Sequence, residues 1–210
     1  SSNPLLFCEG GCLVKLNPND TIEEALKSAT YSIGYIGLEE VSYLMTGKHL
    51  HQDNSFAIEV LDYLNAKIEK AKKETGKLIA LYGTPSEGYC SKLMDADREK
   101  FGVIPNVTDK DWYHNSFHVA SNHKLSATEK QLIESPLFHR SNGGHIVYNE
   151  FYTVDNFEAF STIIDHAMKE GLYYGINLEL GKCNDCGYEG TIFSECPKCN
   201  SSKVAGITRC

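Results

Sequence analysis

The sequence predicts an α/β domain followed by a small metal module. Two observations support this prediction. Stretches with helical apolar periodicity alternate with short apolar runs along most of the chain, which is the order expected for parallel strands joined by right-handed crossovers. Residues 181–210 instead carry two Cys-x-x-Cys pairs. A chain of 210 residues is long enough for one ordinary domain, residues 1–180, and such an appendage.

The first elements are predicted from a helix start and two glycines. Asp20 is a suitable N-cap, and the helical pattern after it runs to about Ser32. Gly34 and Gly37 then allow a close backbone approach or a bend. A second helical piece follows and reaches about Met45.

The middle of the chain has the clearest periodicity. Residues 54–75 form an amphipathic helical pattern that ends at Gly76. Residues 77–82 are a short apolar run, typical of a buried parallel strand. A further helix is predicted over 86–100.

The same alternation continues toward the C-terminus. We expect an extended segment at 115–119, a strand at 145–152 and a last strand at 173–180. A capping box at 126–129 starts one helix, and residues 156–170 form another.

The four cysteines near the C-terminus predict a closed zinc site. Cys183, Cys186, Cys196 and Cys199 form two pairs with nine residues between them. Four thiolates complete a tetrahedron around Zn²⁺ and leave no open position. The spacer is long enough for one small hairpin, which favours a zinc ribbon. A zinc hydrolase is disfavoured, because it needs an open metal position.

Two other interpretations of these cysteines are weaker. Two disulfides are possible, but adjacent Cys-x-x-Cys pairs are poor disulfide staples and nothing else indicates secretion. A thioredoxin-like pair would lie at a strand-to-helix turn. Here the pairs are followed by Gly187 and Asn200, as in metal-binding knuckles.

The composition excludes some classes of function. A formal charge of −8 and a pI near 5.5 argue against a broad nucleic-acid surface. No apolar run reaches the roughly 18 residues that a membrane span needs. Eight cysteines without a signal peptide predict a reducing compartment, and we expect a cytoplasmic protein.

The turn between the 77–82 run and the next helix has two interpretations. By residue type, Thr84 is a suitable N-cap, Pro85 a first-turn residue and Glu87 the third position of a capping box. The free N–H groups of a helix start at the end of a parallel strand also form an anion site. Both interpretations stay open at this point.

Polar residues in the predicted core segments are candidates for a cavity. Asn115, Ser116 and His118 fall on a segment that should be buried, so at least one of them should point inward. A strand histidine is, however, more often a satisfied core residue. Glu150, near the end of the 145–152 strand, is suitable as an acid or base and equally as a surface carboxylate.

Taken together, these motifs resemble the anaerobic, class III ribonucleoside-triphosphate reductases, which are glycyl radical enzymes. The matching pieces, in order, are 32–38 (SIGYIGL), 83–87 (GTPSE), 97–105 (DREKFGVIP), 113–118 (YHNSFH), 144–150 (GHIVYNE), 174–177 (YGIN) and the four zinc cysteines. Each piece is weak alone, but their order is specific. The alternative from another class is a zinc-ribbon adaptor or nucleic-acid-binding module on an α/β scaffold.

The resemblance implies a fold and a set of site residues. The fold would be the C-terminal half of a ten-stranded α/β barrel, followed by a zinc ribbon at 181–210. The substrate phosphates of a ribonucleoside triphosphate would be bound by Thr84, Pro85, Ser86 and Glu87. The candidates for the cavity wall would be Asn115, Ser116, His118, Tyr148 and Glu150, with Glu150 the catalytic candidate.

The resemblance also implies a mechanism and partners. A glycyl radical made by a radical-SAM activase would generate a cysteine thiyl radical, which abstracts the ribose 3′ hydrogen so that the 2′ hydroxyl leaves as water. We expect the radical glycine just beyond Cys210 and the thiyl cysteine upstream of the 32–38 motif. The chain would therefore need the N-terminal part of the reductase, would be inactive alone, and would belong to a homodimer.

Overall fold

The structure is a computed structural model. It describes residues 17, 20–27, 29–120, 123–151, 156–178, 180–190, 192 and 194–207. At Glu24, Ala25, Glu87 and Ile207 only the backbone is described.

The described residues form a mixed α/β structure with small sheets. In chain order the elements are α1 Glu23–Leu26, β1 Thr30–Tyr35, α2 Leu38–Thr46, α3 Ser55–Thr75, β2 Leu78–Gly83, α4 Glu87–Phe101, α5 Ala127–Phe138, β3 Val147–Phe151, α6 Phe157–Lys169, β4 Tyr174–Leu178, β5 Leu180–Cys183, β6 Glu189–Gly190 and β7 Val204–Ile207.

The predicted parallel pairing is confirmed in two places. β1 pairs with β2 in parallel, from Thr30 opposite Leu78 to Tyr35 opposite Gly83. β3 pairs with β4 in parallel, from Val147 opposite Tyr174 onward. Each pair is joined through helices, α2 and α3 in the first case and α6 in the second, as parallel strands require.

The core lies between α3 and the strands. Ala57, Leu61 and Ile68 are spaced along one face of α3 and are buried in the same cluster as Leu81 of β2 and Val147 of β3. This apolar stripe is the reason that residues 55–75 form a helix against the sheet. The predicted helix and its end are confirmed, because Gly76 adopts φ 66° at the C-cap.

The prediction for residues 20–32 is wrong. Helix α1 is only 4 residues long, and Ile22 is its N-cap in place of Asp20. The Asp20 carboxylate accepts instead from Asn17. Residues Thr30–Tyr35 are a strand, because their β-branched and aromatic side chains favour β structure and β2 supplies a parallel partner.

The two glycines of the 32–38 motif behave as expected. A Cβ on Gly34 would lie 1.9 Å from Thr84 Oγ1, so β1 and the turn after β2 approach closely there. Gly37 has φ 71° and is the N-cap residue that precedes α2.

Residues 115–119 form a turn, and the expected extended segment is wrong. Ser116 adopts φ 43°, and the His118 N–H donates to the Asn115 carbonyl at 3.0 Å. The N–H of Leu38 donates to the Ser116 carbonyl. The segment is therefore shaped by the start of α2, which its own sequence does not reveal.

The predicted capping box at Thr84 is also wrong. The N-cap of α4 is Ser86, whose side chain makes no capping hydrogen bond, and Glu87 is the first helical residue. The backbone N–H of Thr84 donates to the Tyr35 carbonyl at the end of β1 at 3.4 Å. Thr84 therefore continues the pairing of β2 with β1 and does not cap α4. The capping box of α5, between Ser126 and Glu129, is confirmed.

The strand predicted at 173–180 is two strands in different sheets. Among the described residues β4 pairs with β3 alone, whereas β5 is the centre of an antiparallel sheet with the order β6-β5-β7. Glu179 between them and Tyr152 at the end of the predicted 145–152 strand lie outside the described residues. No helix among the described residues is long and apolar enough to cross a bilayer.

We predict that Gly143→Ala destabilises the chain by about 1 to 3 kcal/mol, the usual effect of overpacking. A Cβ at this position would lie 2.7 Å from the Leu81 carbonyl oxygen and 3.0 Å from the Ala80 Cβ. Urea unfolding of the reduced, zinc-loaded chain measures the effect. Gly88→Ala is the control, since its Cβ would meet nothing within 4 Å and alanine favours the helix. Equal midpoints for both variants would contradict the prediction.

Candidate functional site

The four predicted zinc ligands meet at one point. The Sγ atoms of Cys183, Cys186, Cys196 and Cys199 all lie within 4.8 Å of one another. The Sγ distances are 3.5 Å between Cys183 and Cys199 and 3.6 Å between Cys186 and Cys196. A ZnS₄ tetrahedron with Zn–S bonds of about 2.3 Å has sulfur atoms about 3.8 Å apart, so the arrangement fits a metal and is too wide for S–S bonds.

Two tight turns on the three-stranded sheet place these thiols. Gly187 has φ 71° and Asn200 has φ 56°, conformations that glycine and asparagine tolerate best. The N–H of Gly187 donates to the Cys183 carbonyl, and the N–H of Asn200 donates to the Cys196 carbonyl. Both turns therefore bring the second thiol of a pair back toward the first.

The electrostatics of the cysteine cluster fit a cation. The backbone N–H of Cys186 lowers the pKa of Cys183 to about 7. The pKa of Cys199 is raised to about 12, because the neighbouring thiols outweigh the lowering effect of the Ser201 N–H. The Cys183 thiol ionises readily, whereas the Cys199 thiol resists ionisation. Four neighbouring thiolates would therefore need a divalent ion between them.

A second group of polar side chains, which we call the polar cluster, lies where the end of β2 contacts the residues that precede β3. It contains Ser116, His118, Lys130, Glu134, His145 and Tyr148. His145 Nδ1 donates to the Gly83 carbonyl at 3.1 Å and lies 3.3 Å from Ser116 Oγ. A Cβ on Gly83 would lie 2.2 Å from that nitrogen. The imidazole can therefore pack here because residue 83 is a glycine.

The other half of the polar cluster surrounds a buried carboxylate. Glu134 is fully buried, and its Oε1 accepts from the Val119 N–H at 2.9 Å. His118 Nδ1 lies 3.4 Å from the same oxygen, and Lys130 Nζ lies 3.7 Å away. The Lys130 ammonium also lies 4.7 Å above the Tyr148 ring. Charge and hydrogen bonds together compensate the burial of this carboxylate.

The polar cluster contains a neutral histidine beside an anion. Burial and the nearby His118 lower the pKa of His145 to about 4, so its imidazole is uncharged at pH 7. Burial alone would raise the pKa of Glu134, but His118 and Lys130 outweigh it and the pKa is lowered. The carboxylate is therefore ionised at neutral pH.

Two atoms of the polar cluster remain available. His145 Nε2 and Glu134 Oε2 are buried and have no hydrogen-bond partner among the described residues. Since Nδ1 of His145 donates to a carbonyl, Nε2 of the neutral ring is an acceptor. A buried acceptor without a donor costs free energy, so such atoms mark a place where a ligand can bind.

The turn after β2 lies beside this region. Ser86 N–H donates to Asn115 Oδ1 at 3.0 Å, and Cys90 Sγ lies 3.1 Å from the same oxygen. Asn115 therefore holds the start of α4 in place. A shallow surface depression at this helix start is lined by Pro85, Ser86, Gly88, Tyr89 and Lys92.

The structure gathers some of the predicted site residues and leaves others apart. Ser116, His118 and Tyr148 are in the polar cluster, whereas Glu150 is exposed. Glu150 lies two residues beyond Tyr148 on β3 and therefore on the same face of the strand.

Sequence reasoning missed Lys130, Glu134 and His145. The 143–150 stretch contained a signal for His145, because it places polar side chains on a predicted buried strand, as the 115–118 stretch does. Helix α5 gave a weaker signal for Glu134, because a carboxylate breaks the apolar face that a packed helix normally presents.

A family model decides the relationship of this chain to known proteins. The model described as anaerobic ribonucleoside-triphosphate reductase matches residues 2–210.

The chain belongs to this reductase family.

Relatives of known name agree with this assignment. The chain is 34% identical over 217 residues to the anaerobic ribonucleoside-triphosphate reductase of Escherichia coli K12, with 98% of the chain and 30% of the relative covered. It is 33% identical to the enzyme of the same name from phage T4, with 98% of the chain and 35% of the relative covered. The chain thus spans about a third of the length of these reductases.

Solved reductase structures share the fold. One, titled anaerobic ribonucleotide reductase, has a TM-score of 0.73 and 21% identity, over 88% of this chain and 30% of that one. The Thermotoga maritima enzyme with glycerol in its active site has a TM-score of 0.68 and 23% identity, over 85% and 30%.

We predict that the reduced chain binds one Zn²⁺ through the cysteine cluster and that Cys196→Ser greatly reduces this zinc content. Cys196 is fully buried. Once its thiolate is lost, water could take the vacant ligand position only if the site opened. Metal analysis after dialysis is the measurement. Cys90→Ala is the control, because Cys90 lies outside the cluster, and equal zinc loss in both variants would contradict the assignment.

We predict that His145 makes the fold less stable in acid. The unfolded chain takes up a proton at His145 near its ordinary pKa of 6.5, whereas the folded chain does so only at a pKa of about 4. The unfolded state binds more protons in this window, so stability falls as the pH drops from 7 to 4, by up to about 3 kcal/mol. Urea unfolding at several pH values should show a flatter profile for His145→Gln. Parallel profiles for variant and wild type would contradict the prediction.

Proposed function

We propose that this chain is the C-terminal part of an anaerobic reductase that converts ribonucleoside triphosphates to 2′-deoxyribonucleoside triphosphates. The observation that carries the proposal is the family match over residues 2–210. The polar cluster and the cysteine cluster supply the two kinds of site that this activity requires in this part of the enzyme. The E. coli and phage T4 relatives carry the reductase name.

The proposed architecture follows the two kinds of sheet. Residues 1–180 would be half of a ten-stranded α/β barrel, which is supported by the two parallel pairs β1-β2 and β3-β4 with their connecting helices. Residues 181–210 would be a zinc ribbon, supported by the antiparallel sheet β6-β5-β7 and the four converging thiols.

We assign substrate phosphates to the 84–87 turn. This turn follows the carboxyl end of β2 and begins α4, where the unpaired N–H groups of a helix favour anions. Lys92 lies in the adjoining depression with Pro85 and Ser86, so a positive charge is close. Asn115 would fix the turn by accepting from the Ser86 N–H, which makes it a positioning residue.

We assign the cavity wall to Ser116, His118 and Tyr148, with His145 added by the structure. The neutral His145 ring presents Nε2 as an acceptor, and a ribose hydroxyl is a donor of suitable size. Glu134 would hold His118 in place through its Oε1. Glu150 would need to turn toward the cavity from its exposed position on β3 to act as an acid or base.

The remaining parts of the reaction belong to other segments and proteins. The thiyl cysteine would come from the N-terminal part of the reductase, and a radical-SAM activase would generate the glycyl radical. A structural zinc ion would fix the segment that carries the radical glycine. The complete enzyme would be a cytoplasmic homodimer. The formal charge of −8 disfavours the alternative of a nucleic-acid adaptor.

The test is an anaerobic assay of the reductase that contains this segment, after activation by its radical-SAM enzyme. We expect conversion of labelled CTP or ATP to the deoxynucleotide. His145→Gln should lower kcat at least about tenfold, the value of one lost hydrogen bond to a reacting group. Electron paramagnetic resonance and zinc analysis should show an unchanged glycyl radical and unchanged metal.

His139→Gln is the matched control, because His139 is an exposed histidine outside the polar cluster, and its Nε2 hydrogen-bonds to the Glu170 carbonyl. It should leave kcat unchanged. If the wild type carried the radical but formed no deoxynucleotide, the proposed function would be wrong. If His145→Gln had full activity, the assignment of His145 to the cavity wall would be wrong.

A further inference from the structure

Three histidines and a glutamate form a separate group, which we call the histidine cluster. Glu39 belongs to the first turn of α2, and His49 and His51 lie in the connection between α2 and α3. His123 comes from the segment that precedes α5. The cluster thus joins α2 and the connection that follows it to a segment much later in the chain. These side chains are not among the site residues that the family resemblance implies, and they are not part of the polar cluster.

The possible ligand atoms of the histidine cluster converge. One atom from each of Glu39, His49 and His123 lies within 4.8 Å of the others. His49 Nδ1 is 2.6 Å from Glu39 Oε1, and His123 Nε2 is 4.0 Å from the same oxygen. Around an ion with bonds of about 2.1 Å, tetrahedral ligand atoms are about 3.4 Å apart, so side-chain shifts of about 1 Å would close the site.

Unsatisfied nitrogens point to a missing ligand. His51 Nδ1 and His123 Nε2 are buried and lack a hydrogen-bond partner within the described part of the chain. The ring centroids of His51 and His123 lie 3.8 Å apart, with the ring planes tilted by 43°. Leaving two such nitrogens unpaired is costly, and an ion between the imidazoles and the carboxylate would satisfy at least one of them.

The surroundings hold the proposed ligands in place. The Leu50 N–H donates to Glu39 Oε2 at 3.0 Å, which leaves Oε1 directed at the histidines. The His49 ring stacks on Tyr43 with a centroid distance of 4.5 Å, and the backbone N–H of His49 donates to Gln52 Oε1. Supporting contacts of this kind orient the ligands of metal sites. The Glu39 side chain is 1% exposed, and those of His49 and His123 are 17% and 20% exposed, so an ion can enter from the histidine side.

We propose that Glu39, His49 and His123 bind a divalent transition-metal ion, with His51 beside them as a third imidazole. Imidazole nitrogens with one carboxylate select ions such as Zn²⁺, Fe²⁺ or Co²⁺ over Mg²⁺ and Ca²⁺, which prefer oxygen ligands. The ion ties the start of α2 and the 47–53 connection to the segment before α5. This second site is chemically distinct from the four-thiolate site.

The test uses Co²⁺ as the probe, on the full chain with reduced cysteines and without any affinity tag. The chain is first loaded with one equivalent of Zn²⁺, which the four thiolates take up preferentially. Co²⁺ is then titrated and followed by its visible absorption. We expect one further equivalent to bind, with the weak bands of nitrogen and oxygen ligands and without thiolate-to-cobalt charge transfer.

Two variants test the ligands. His123→Gln and Glu39→Gln should each weaken Co²⁺ binding at least about tenfold, while far-UV circular dichroism and the first equivalent of zinc stay unchanged. If Glu39→Gln loses its fold, the partly exposed His123→Gln decides alone. The exposed His139→Gln is the matched control and should bind Co²⁺ as the wild type does.

Co²⁺ should also raise the unfolding temperature of the wild type and of His139→Gln, but not that of His123→Gln. Three results would overturn the proposal. These are no second equivalent, unchanged affinity in His123→Gln, or charge-transfer bands showing that Co²⁺ occupies only the thiolate site. None of these results depends on reductase activity, so the proposed function is tested separately.

Discussion

The close approach of residues 142–144 to β2 is the constraint on which the rest of the structure depends. The N–H of Gly143 donates to the Leu81 carbonyl at 2.6 Å, and Gly83 N–H donates to the Gly144 carbonyl at 3.1 Å. Asn142 Oδ1 accepts from the Leu81 N–H at 3.0 Å. These bonds connect the first parallel pair to the second and deliver His145 to the end of β2. Without a glycine at 143 the two backbones could not come this close.

Buried carboxylates connect the irregular segments to the helices. Glu40 of α2 is 3% exposed and contacts Lys110 Nζ at 2.9 Å and His114 Nδ1 at 2.6 Å. Burial alone would raise the pKa of Glu40, but the His114 and Lys110 contacts outweigh it and hold the pKa below its usual range. Glu134 of α5 holds His118 and Val119 in the same way. An isolated buried charge is very costly, so each pairing requires the segment to adopt one conformation.

The cysteine cluster and the polar cluster differ in what they do. Four thiolates would close the coordination of a metal and leave it no open position, so the cysteine cluster fits a structural metal site. The polar cluster instead keeps a buried acceptor on His145 and a buried oxygen on Glu134 without partners among the residues described. The cysteine cluster therefore has the donor set of a closed metal site, whereas the polar cluster keeps polar atoms free for a further hydrogen bond.

Features that depend on local patterns could be predicted from the amino-acid sequence. The α3 stripe, the Ser126 capping box and the convergence of the four cysteines were all predictable, because spacing along the chain decides them. Order of motifs was enough to identify the family. Tertiary structure alone decided that 30–35 is a strand, that 115–119 is a turn and that Glu134 and His145 join the polar cluster. Their partners lie far away in the chain, and neither hydrogen bonding to β2 nor charge pairing in the core leaves a periodic signal in the sequence.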